Sequence, residues 1–255
     1  MNKVLIIFGS KSDERIYNEI IKGLKKEKID FELKVSSAHK TPEDVNKTLE
    51  QDYAVYIAGA GLAAHLPGVV AARVYRPVIG VPCEGGYQGL DALLSISQMP
   101  PGVPVLAVGV NKGDVAAGNC AKMLKKYEGV TIIGDKNSKA AKQAVQTLEK
   151  FEVVPIFGDK PNPKTINIEF TYFDEPVEKN EELVIYCPLL MPQNDKASTS
   201  LNFLKHTSHG LWVGINNGTN AAVAAVEIMN IDNEFEEALL HYRQEMAKKV
   251  LESNE

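Results

Sequence analysis

The stretch that decides the fold is VLIIFGSKSD, residues 4–13, in which five consecutive apolar residues are followed by a glycine and a short polar run. A continuous apolar run of this length, bounded by glycine, is typical of a strand that is buried on both faces of a sheet. The same order of apolar run and helix-like stretch repeats along the first half of the chain. Because half-exposed antiparallel strands would alternate in polarity, the pattern predicts an α/β fold with a three-layer parallel sheet covered by helices on both faces.

Hydrophobic periodicity sets the remaining boundaries of the first half. We predict strands at residues 4–8, 31–35, 53–58, 78–81 and 105–110. We predict helices at residues 13–26, 41–49, 64–73, 90–98 and 115–127. Proline lacks a backbone N–H, so we expect Pro82 to end the fourth strand.

The second half resembles a worn copy of the first. Residues 130–138, VTIIGDKNS, echo residues 4–13 and lead into a helical stretch at 139–150, and residues 211–216, LWVGIN, parallel residues 106–111, LAVGVN. Internal duplication explains these pairs. We therefore predict a duplicated fold with domains at 1–129 and 130–255 that share a core.

The predicted second copy lacks the loops that make the first half distinctive. Residues 151–185 contain no histidine and no run of small residues, and residues 164–173 alternate in polarity like an extended strand. We therefore interpret residues 130–255 as a degenerate repeat with a role in structure or assembly.

Composition excludes several classes of protein. The chain has 255 residues, of which 44% are hydrophobic, so it can bury a substantial core. Its formal net charge is −5 with both signs mixed, and no basic stripe is present for binding nucleic acid. The apolar run at 4–8 is too short for a signal peptide core, and no run is long enough to cross a bilayer. We expect a cytoplasmic protein with no membrane and no nucleic-acid partner.

The sequence predicts no metal and no cofactor. The three cysteines, Cys83, Cys120 and Cys187, are far apart and form neither a CxxC pair nor a ligand cluster, so we interpret them as small core residues. His206, His209 and His241 lack the spacing of metal ligands on one element. The chain also contains no Walker loop and no dinucleotide fingerprint.

Three short loops follow predicted strands in the first half: Gly9-Ser10, Ser37 to His39, and Gly59 to Gly61. The carboxyl ends of parallel strands meet at one edge of a sheet, where such folds bind their ligands. Loops of small and polar residues can hold an anion, and imidazole can transfer protons near neutral pH. The sequence therefore predicts that these three loops converge on one functional site.

Four motifs in the first half carry a family resemblance: GSKSD at 9–13, SAHKTP at 37–42, GAGLAAHLPG at 59–68 and GLDALLSISQMP at 89–100. In this order they resemble the N5-carboxyaminoimidazole ribonucleotide mutase and aminoimidazole ribonucleotide carboxylase family of purine biosynthesis. The resemblance covers residues 1–125, and residues 216–222 with the terminal helix around His241 are similar to the family's closing segment.

The predicted fold is of the flavodoxin-like or Rossmann-like type. The resemblance implies no cofactor and a ribonucleotide monophosphate substrate that carries an aminoimidazole ring, together with carbon dioxide. His39 would be the catalytic proton shuttle. The resemblance implies substrate-binding roles for Ser10, Ser12, Ser37 and Lys40 at the phosphate, Asp13 at the ribose, Ala60, Gly61 and Ala63 against the ring, and His65 and Leu66 at the pocket wall. His65 is equally consistent with a purely structural role.

The sequence departs from the family pattern at three places. Lys40 is similar to the residue of the direct-carboxylase branch, whereas the run AAHLP at 63–67 is similar to the mutase branch. Leu62 replaces a glycine, and EGGY at 84–87 is not the usual loop. Three functions therefore stay open: the mutase, direct carboxylation by carbon dioxide, and a nucleotide-binding module without activity. Family members are typically octamers of single-copy subunits, so we expect a homo-oligomer, a tetramer of tandem chains.

Overall fold

The computed structural model describes residues 3–172, 177, 179–191 and 193–254. In these residues one sheet of ten strands runs through both halves of the chain, in the order β2-β1-β3-β4-β5-β10-β9-β8-β6-β7. The strands of the first half are β1 (Val4–Phe8), β2 (Phe31–Val35), β3 (Val55–Gly61), β4 (Val78–Cys83) and β5 (Leu106–Ala107). Those of the second half are β6 (Val130–Gly134), β7 (Ile156–Phe157), β8 (Ile166–Tyr172), β9 (Val184–Leu189) and β10 (Leu211–Trp212).

The α-helices in the described part of the chain cover both faces of this sheet. The first half contributes α1 (Glu14–Lys26), α2 (Pro42–Thr48), α3 (Leu66–Ala71), α4 (Leu90–Ser97) and α5 (Gly113–Met123). The second half contributes α6 (Lys139–Glu149), α7 (Lys196–His206), α8 (Gly218–Met229) and α9 (Glu236–Leu251). None of the helices described is both long and apolar enough to cross a membrane.

The hydrophobic core lies in two layers, one on each face of the sheet. Val4, Ile6 and Phe8 of β1 are fully buried in the layer that holds α1, α5, α6 and α8, while Leu5 and Ile7 are buried in the layer that holds α2, α3, α4 and α7. Side chains alternate between faces along a strand, so a strand that is covered on both sides must be apolar throughout. Both layers contain residues from both halves, so the halves share their core.

The two halves have the same strand order. Read from its outer edge inward, each half follows the order second, first, third, fourth and fifth strand, which is the flavodoxin-like order. The equivalent strands β5 and β10 meet at the centre, where Ala107 pairs with Trp212 in an antiparallel bridge. The prediction of an α/β fold with a parallel sheet is confirmed, apart from this one antiparallel junction. Because the halves run in opposite directions, their strand carboxyl ends face opposite edges of the sheet.

Helix packing is also repeated between the halves. Gly113 begins α5 and Gly218 begins α8, and each allows its helix to approach the preceding helix on the same face. A Cβ atom on Gly113 would lie 2.6 Å from the carbonyl oxygen of Ile16, and one on Gly218 would collide with that of Ala140. Glycine is therefore needed at the same place in both halves.

Several predicted boundaries of the first half were wrong. Strand β3 begins at Val55 and continues through Gly61, so Gly59 to Gly61 lie in the strand end rather than in a loop. Strand β4 passes through Pro82 to Cys83, because Ala60 and Gly61 continue to pair with it and the Pro82 carbonyl accepts from Asn111 N–H where the β5 ladder has ended. Strand β5 has only two residues, since its neighbour β10 is equally short.

The predicted helices differ from the observed ones mainly at their ends, as α3 and α5 show. The helix predicted at 64–73 spans Leu66–Ala71, and the one predicted at 115–127 spans Gly113–Met123. The extended stretch predicted at 164–173 forms β8 over Ile166–Tyr172, while Phe173 lies outside the described residues.

The end of the chain packs against the first half. The Asn220 side chain of α8 accepts a hydrogen bond from Gly102 N–H (2.6 Å) and donates to the carbonyl oxygens of Met99 (3.3 Å) and Pro100 (3.0 Å). Arg243 of α9 donates to the carbonyl oxygen of Ala71 (3.2 Å) at the end of α3. The second half therefore holds first-half segments at the edge of the sheet opposite the carboxyl ends of β1 to β4.

Candidate active site

A cleft of about 410 Å³ lies at the carboxyl ends of β1 to β4, where the strand order of the first half reverses direction. We call it the switch-point cleft. Its lining includes all eleven residues predicted for the site: Ser10, Ser12, Asp13, Ser37, His39, Lys40, Ala60, Gly61, Ala63, His65 and Leu66. The three predicted loops thus meet in one place, and the individual roles of these residues stay predictions.

Two imidazoles contact each other in the cleft. His39 Nε2 lies 2.8 Å from His65 Nδ1, and the rings meet edge to face at 84°. One nitrogen of this pair must donate and the other must accept, so the contact holds a single proton. His65 immediately precedes α3, and its backbone N–H bonds to the carbonyl oxygen of Ala63 (2.8 Å), which turns the chain into the helix. A proton can therefore pass directly between the loops that follow β2 and β3.

The loop that carries His39 is held by its own hydrogen bonds. The Ser37 hydroxyl accepts from the backbone N–H groups of His39 (3.4 Å) and Lys40 (3.3 Å). The Thr41 hydroxyl accepts from Ser37 N–H (2.9 Å) and closes the turn from the other side. Short polar side chains favour such turns because they replace backbone partners. The loop thereby presents His39 and Lys40, both exposed, at the mouth of the cleft.

The loop after β1 carries two further hydroxyls and a carboxyl group. Ser12 donates its hydroxyl proton to the Ser10 hydroxyl (2.8 Å), and the same Ser10 oxygen accepts from Ser12 N–H (3.2 Å). Burial raises the pKa of Asp13, and hydrogen bonds from the Ser12 hydroxyl and the Cys83 thiol partly oppose that rise. Burial likewise raises the pKa of Cys83, whose thiol remains protonated beneath the cleft. Ser10, Ser12 and Asp13 therefore line the β1 side of the cleft.

Small residues at the end of β3 leave room above the sheet. A Cβ atom on Gly61 would lie 3.1 Å from the Cys83 carbonyl oxygen, so a larger residue would press on β4. Leu62, the next residue, has a left-handed backbone (φ 56°) and a side chain that is 63% exposed. A leucine in this conformation is strained, and such strain is concentrated at functional sites.

Five further residues line the cleft without an individual role in the prediction: Gly9 and Ala38, which lie in the predicted loops, and Leu62, Glu84 and Gly85, which lie outside them. Leu62, Glu84 and Gly85 belong to the segments that depart from the family pattern. This departure is the feature of the sequence that could have identified them as residues of the cleft. Glu84 follows β4, a fourth strand end beyond the three that were predicted to meet.

The remaining histidines and two of the cysteines, Cys120 and Cys187, are not among the residues that line the cleft. His241 is exposed on α9, and all three cysteines are buried with free thiols. Within the described ranges, no group of three or more His, Cys, Asp or Glu side chains is arranged to hold a metal ion.

The corresponding edge of the second half is built differently. The strand registers of the two halves place Phe170, Thr171 and Tyr172 of β8 where β3 has Gly59, Ala60 and Gly61. The Tyr172 hydroxyl donates to Asp135 (2.8 Å) across the end of β6. A depression of about 350 Å³ remains, and its described lining, which includes Ser138, Lys139, Tyr172 and Asn216, contains no histidine.

Fold and cleft together define an α/β protein with a cleft at the switch point of a parallel sheet, the place where open α/β sheets bind their ligands. The chain belongs to the AIR carboxylase family, whose model matches residues 3–146.

Several relatives show the extent of the similarity. The N5-carboxyaminoimidazole ribonucleotide mutase of Methanocaldococcus jannaschii is 51% identical over 115 residues, which cover 45% of this chain and 73% of the relative. The protein of the same name from Pyrococcus abyssi is 51% identical over 122 residues, which cover 46% of this chain and 70% of the relative. A crystal structure of Treponema denticola PurE aligns with 46% of this chain and 77% of its own, with 29% identity and a TM-score of 0.41.

Proposed function

We propose that the chain interconverts N5-carboxyaminoimidazole ribonucleotide and 4-carboxyaminoimidazole ribonucleotide. Membership in the AIR carboxylase family and 51% identity to mutases support this activity. The single observation that carries the proposal is the contact of His39 with His65 in a cleft formed by the strand ends of the first half.

The phosphate group binds at the β1 and β2 loops in this proposal. The Ser10, Ser12 and Ser37 hydroxyls can donate to phosphate oxygens, and Lys40 adds a positive charge at the mouth of the cleft. Asp13 suits the ribose hydroxyls, because a carboxylate accepts hydrogen bonds and would repel phosphate. With the phosphate over β1 and β2, the ring lies over the small residues Ala60, Gly61 and Ala63 at the end of β3.

The chemistry requires confinement of carbon dioxide and transfer of one proton. The bond between the exocyclic nitrogen and its carboxyl carbon breaks, the electron pair stays on nitrogen, and that nitrogen takes a proton as carbon dioxide leaves. Ring carbon C4 then attacks carbon dioxide, and a base removes the C4 hydrogen to restore aromaticity. One imidazole can give the first proton and take the second, and we assign this role to His39. His65, in contact with it, can accept or return the same proton.

Direct carboxylation of aminoimidazole ribonucleotide is the second candidate, and Lys40 favours it. The two reactions differ in the source of the carboxyl group, which labelled bicarbonate tests. A mutase should transfer the carboxyl group of N5-carboxyaminoimidazole ribonucleotide to the product without exchange with labelled bicarbonate. It should also turn over aminoimidazole ribonucleotide poorly at low bicarbonate. Efficient turnover under that condition would reject the mutase, and a chain that binds nucleotide without any turnover would be a binding module.

We further propose that residues 130–255 are a degenerate second copy and that four chains form the eight-domain shell typical of the family. The common strand order of the two halves supports the duplication. Half of the potential sites would be silent. Multi-angle light scattering should give a tetramer, and a monomer would reject this assembly.

A further inference from the structure

Glu84 adds a carboxylate to the switch-point cleft, and a neighbouring asparagine holds that carboxylate in place. Asn111 accepts a hydrogen bond from Glu84 N–H (2.9 Å) through Oδ1 and donates from Nδ2 to Glu84 Oε2 (3.1 Å). The backbone of Asn111 is left-handed (φ 59°) and bonds to the Pro82 carbonyl oxygen (2.8 Å). In the described part of the chain, no hydrogen bond reaches Glu84 Oε1. One carboxylate oxygen is therefore anchored and the other is available to a ligand.

The second half shows which part of this arrangement belongs to the scaffold. Asn216 has the same left-handed backbone (φ 58°), bonds to the Pro188 carbonyl oxygen (2.8 Å), and accepts from Leu190 N–H (3.0 Å). The asparagine clamp on the backbone is thus common to both halves. A side-chain carboxylate occurs only in the half that carries the two histidines, so stabilising the turn does not require it.

Glu84 lies at the ring end of the cleft. Gly61 pairs with Cys83, so Leu62 and Glu84 are the residues that directly follow the paired ends of β3 and β4. The Leu62 side chain packs against Gly85, where a Cβ atom would lie 3.1 Å from Leu62 Cδ2. The phosphate-binding loops follow β1 and β2, on the other side of β3. A nucleotide with its phosphate there extends its ring toward Glu84.

We propose that Glu84 is a specificity-determining residue that accepts a hydrogen bond from the exocyclic amine of the ring, and that Asn111 is its positioning residue. The inference rests on the proposed function, which supplies the aminoimidazole substrate. A carboxylate accepts from an N–H donor and cannot donate, so it selects a ring that bears a free amine. It also repels a carboxylate on that nitrogen, and therefore favours the state in which carbon dioxide has left.

The test compares two ligands in the full-length chain by isothermal titration calorimetry. One is aminoimidazole ribonucleotide, and the other is imidazole ribonucleotide, which lacks the amine. The wild-type chain should prefer the first about tenfold or more, the usual effect of one hydrogen bond to a charged acceptor. Glu84→Leu, which installs the residue that the second half has at this position, should abolish the preference, and Glu84→Gln should retain part of it.

The asparagines provide a matched pair of controls. Glycine adopts a left-handed backbone readily, so Asn111→Gly and Asn216→Gly both keep the turn and remove the clamp. Asn111→Gly should reduce the preference several-fold, and Asn216→Gly should leave it unchanged. An undiminished preference in Glu84→Leu would overturn the role of Glu84, and equal effects of the two glycine variants would overturn that of Asn111.

These outcomes are separable from the fate of the proposed function. A wild-type chain that shows the preference but never turns over would reject the enzyme and leave Glu84 as the amine-binding group. Normal turnover of the wild-type chain, together with an unchanged preference in Glu84→Leu, would support the enzyme and reject the role of Glu84. A wild-type chain that binds neither nucleotide would overturn both.

Discussion

The two halves share a framework and differ at the carboxyl ends of their strands. Both have the same strand order, and both end their first helix with a residue in a left-handed conformation. At the switch point, however, the first half has glycine and alanine on β3, where the second half has Phe170, Thr171 and Tyr172 on β8. The scaffold therefore tolerates either set of residues at this edge. Small residues there leave space for a ligand, and the histidines and Glu84 surround that space only in the first half.

His39→Asn tests the largest expected difference between the halves. If the first half alone carries the chemistry, this change should reduce turnover by roughly 10²- to 10⁴-fold, the usual contribution of a general acid or base. Nucleotide affinity measured by calorimetry should change little, because the phosphate-binding residues remain. His241→Asn, at an exposed histidine of the second half, is the control and should be silent. A His39→Asn chain with at least a tenth of wild-type turnover would contradict the assignment.

Asn220→Ala tests whether the halves stabilise each other. The change leaves the buried Gly102 N–H without its partner, whereas the carbonyl oxygens of Met99 and Pro100 keep hydrogen bonds from Asn217 and Val103. The free energy of unfolding should therefore fall by about 1–3 kcal/mol. Chemical denaturation checks this value, with Asn137→Ala at an exposed asparagine as the control. Because the core layers are shared, we expect one cooperative transition for both halves. Two separate transitions in the wild-type chain would show independent domains.

Glu32→Gln tests the difference between the two outer edges of the sheet. Hydrogen bonds from Lys3 and Lys34 lower the pKa of Glu32 from 4.5 to about 2, whereas the equivalent position in the second half is the exposed Ile156. A lowered pKa means that the folded state binds the proton less tightly than the unfolded state. The stabilisation is therefore complete above pH 4.5 and is lost as the pH falls toward 2.

Denaturation of the wild-type chain and Glu32→Gln at a series of pH values measures this effect. The variant should be the less stable at pH 7, and the difference should shrink between pH 4.5 and 2. A difference that is independent of pH over this range would show that the ion pairs of Glu32 contribute nothing.

Lys28→Gly and Glu152→Gly test a feature in which we expect the two halves not to differ, the end of the first helix. Each residue follows the first helix of its half with a left-handed backbone, at φ 57° and 59°. Ile29 N–H bonds to the Leu24 carbonyl oxygen and Val153 N–H to that of Leu148, which completes the same Schellman motif. Glycine removes the steric cost at this position, so each change should stabilise the chain by about 0.5–1 kcal/mol. Clearly unequal shifts of the melting temperature in the two variants would contradict the equivalence of the two helix ends.

Much of the first half could be predicted because its signals are local. The buried run at 4–8 predicted β1 correctly, and the position of the three loops at strand carboxyl ends predicted that they meet in one cleft. The individual residues of the site came from the family resemblance. The end of β3, the passage of β4 through Pro82 and the shortness of β5 were not predicted. These features depend on which strand lies alongside and for how many residues, and hydrophobic periodicity carries no information about pairing partners. Glu84 was missed as a site residue for the same reason, since its relation to Leu62 arises from the pairing of β3 with β4.

The sequence by itself determined the class of fold, the repetition of its pattern and the family of the first half, because apolar periodicity, glycine turns and four motifs are properties of neighbouring residues. Only the tertiary structure decided that the halves join into one sheet through the antiparallel contact of Ala107 with Trp212, that His39 contacts His65, and that Asn111 aligns Glu84. These contacts join residues that are distant in the chain, and they form only when packing of the shared core fixes the strand ends relative to one another.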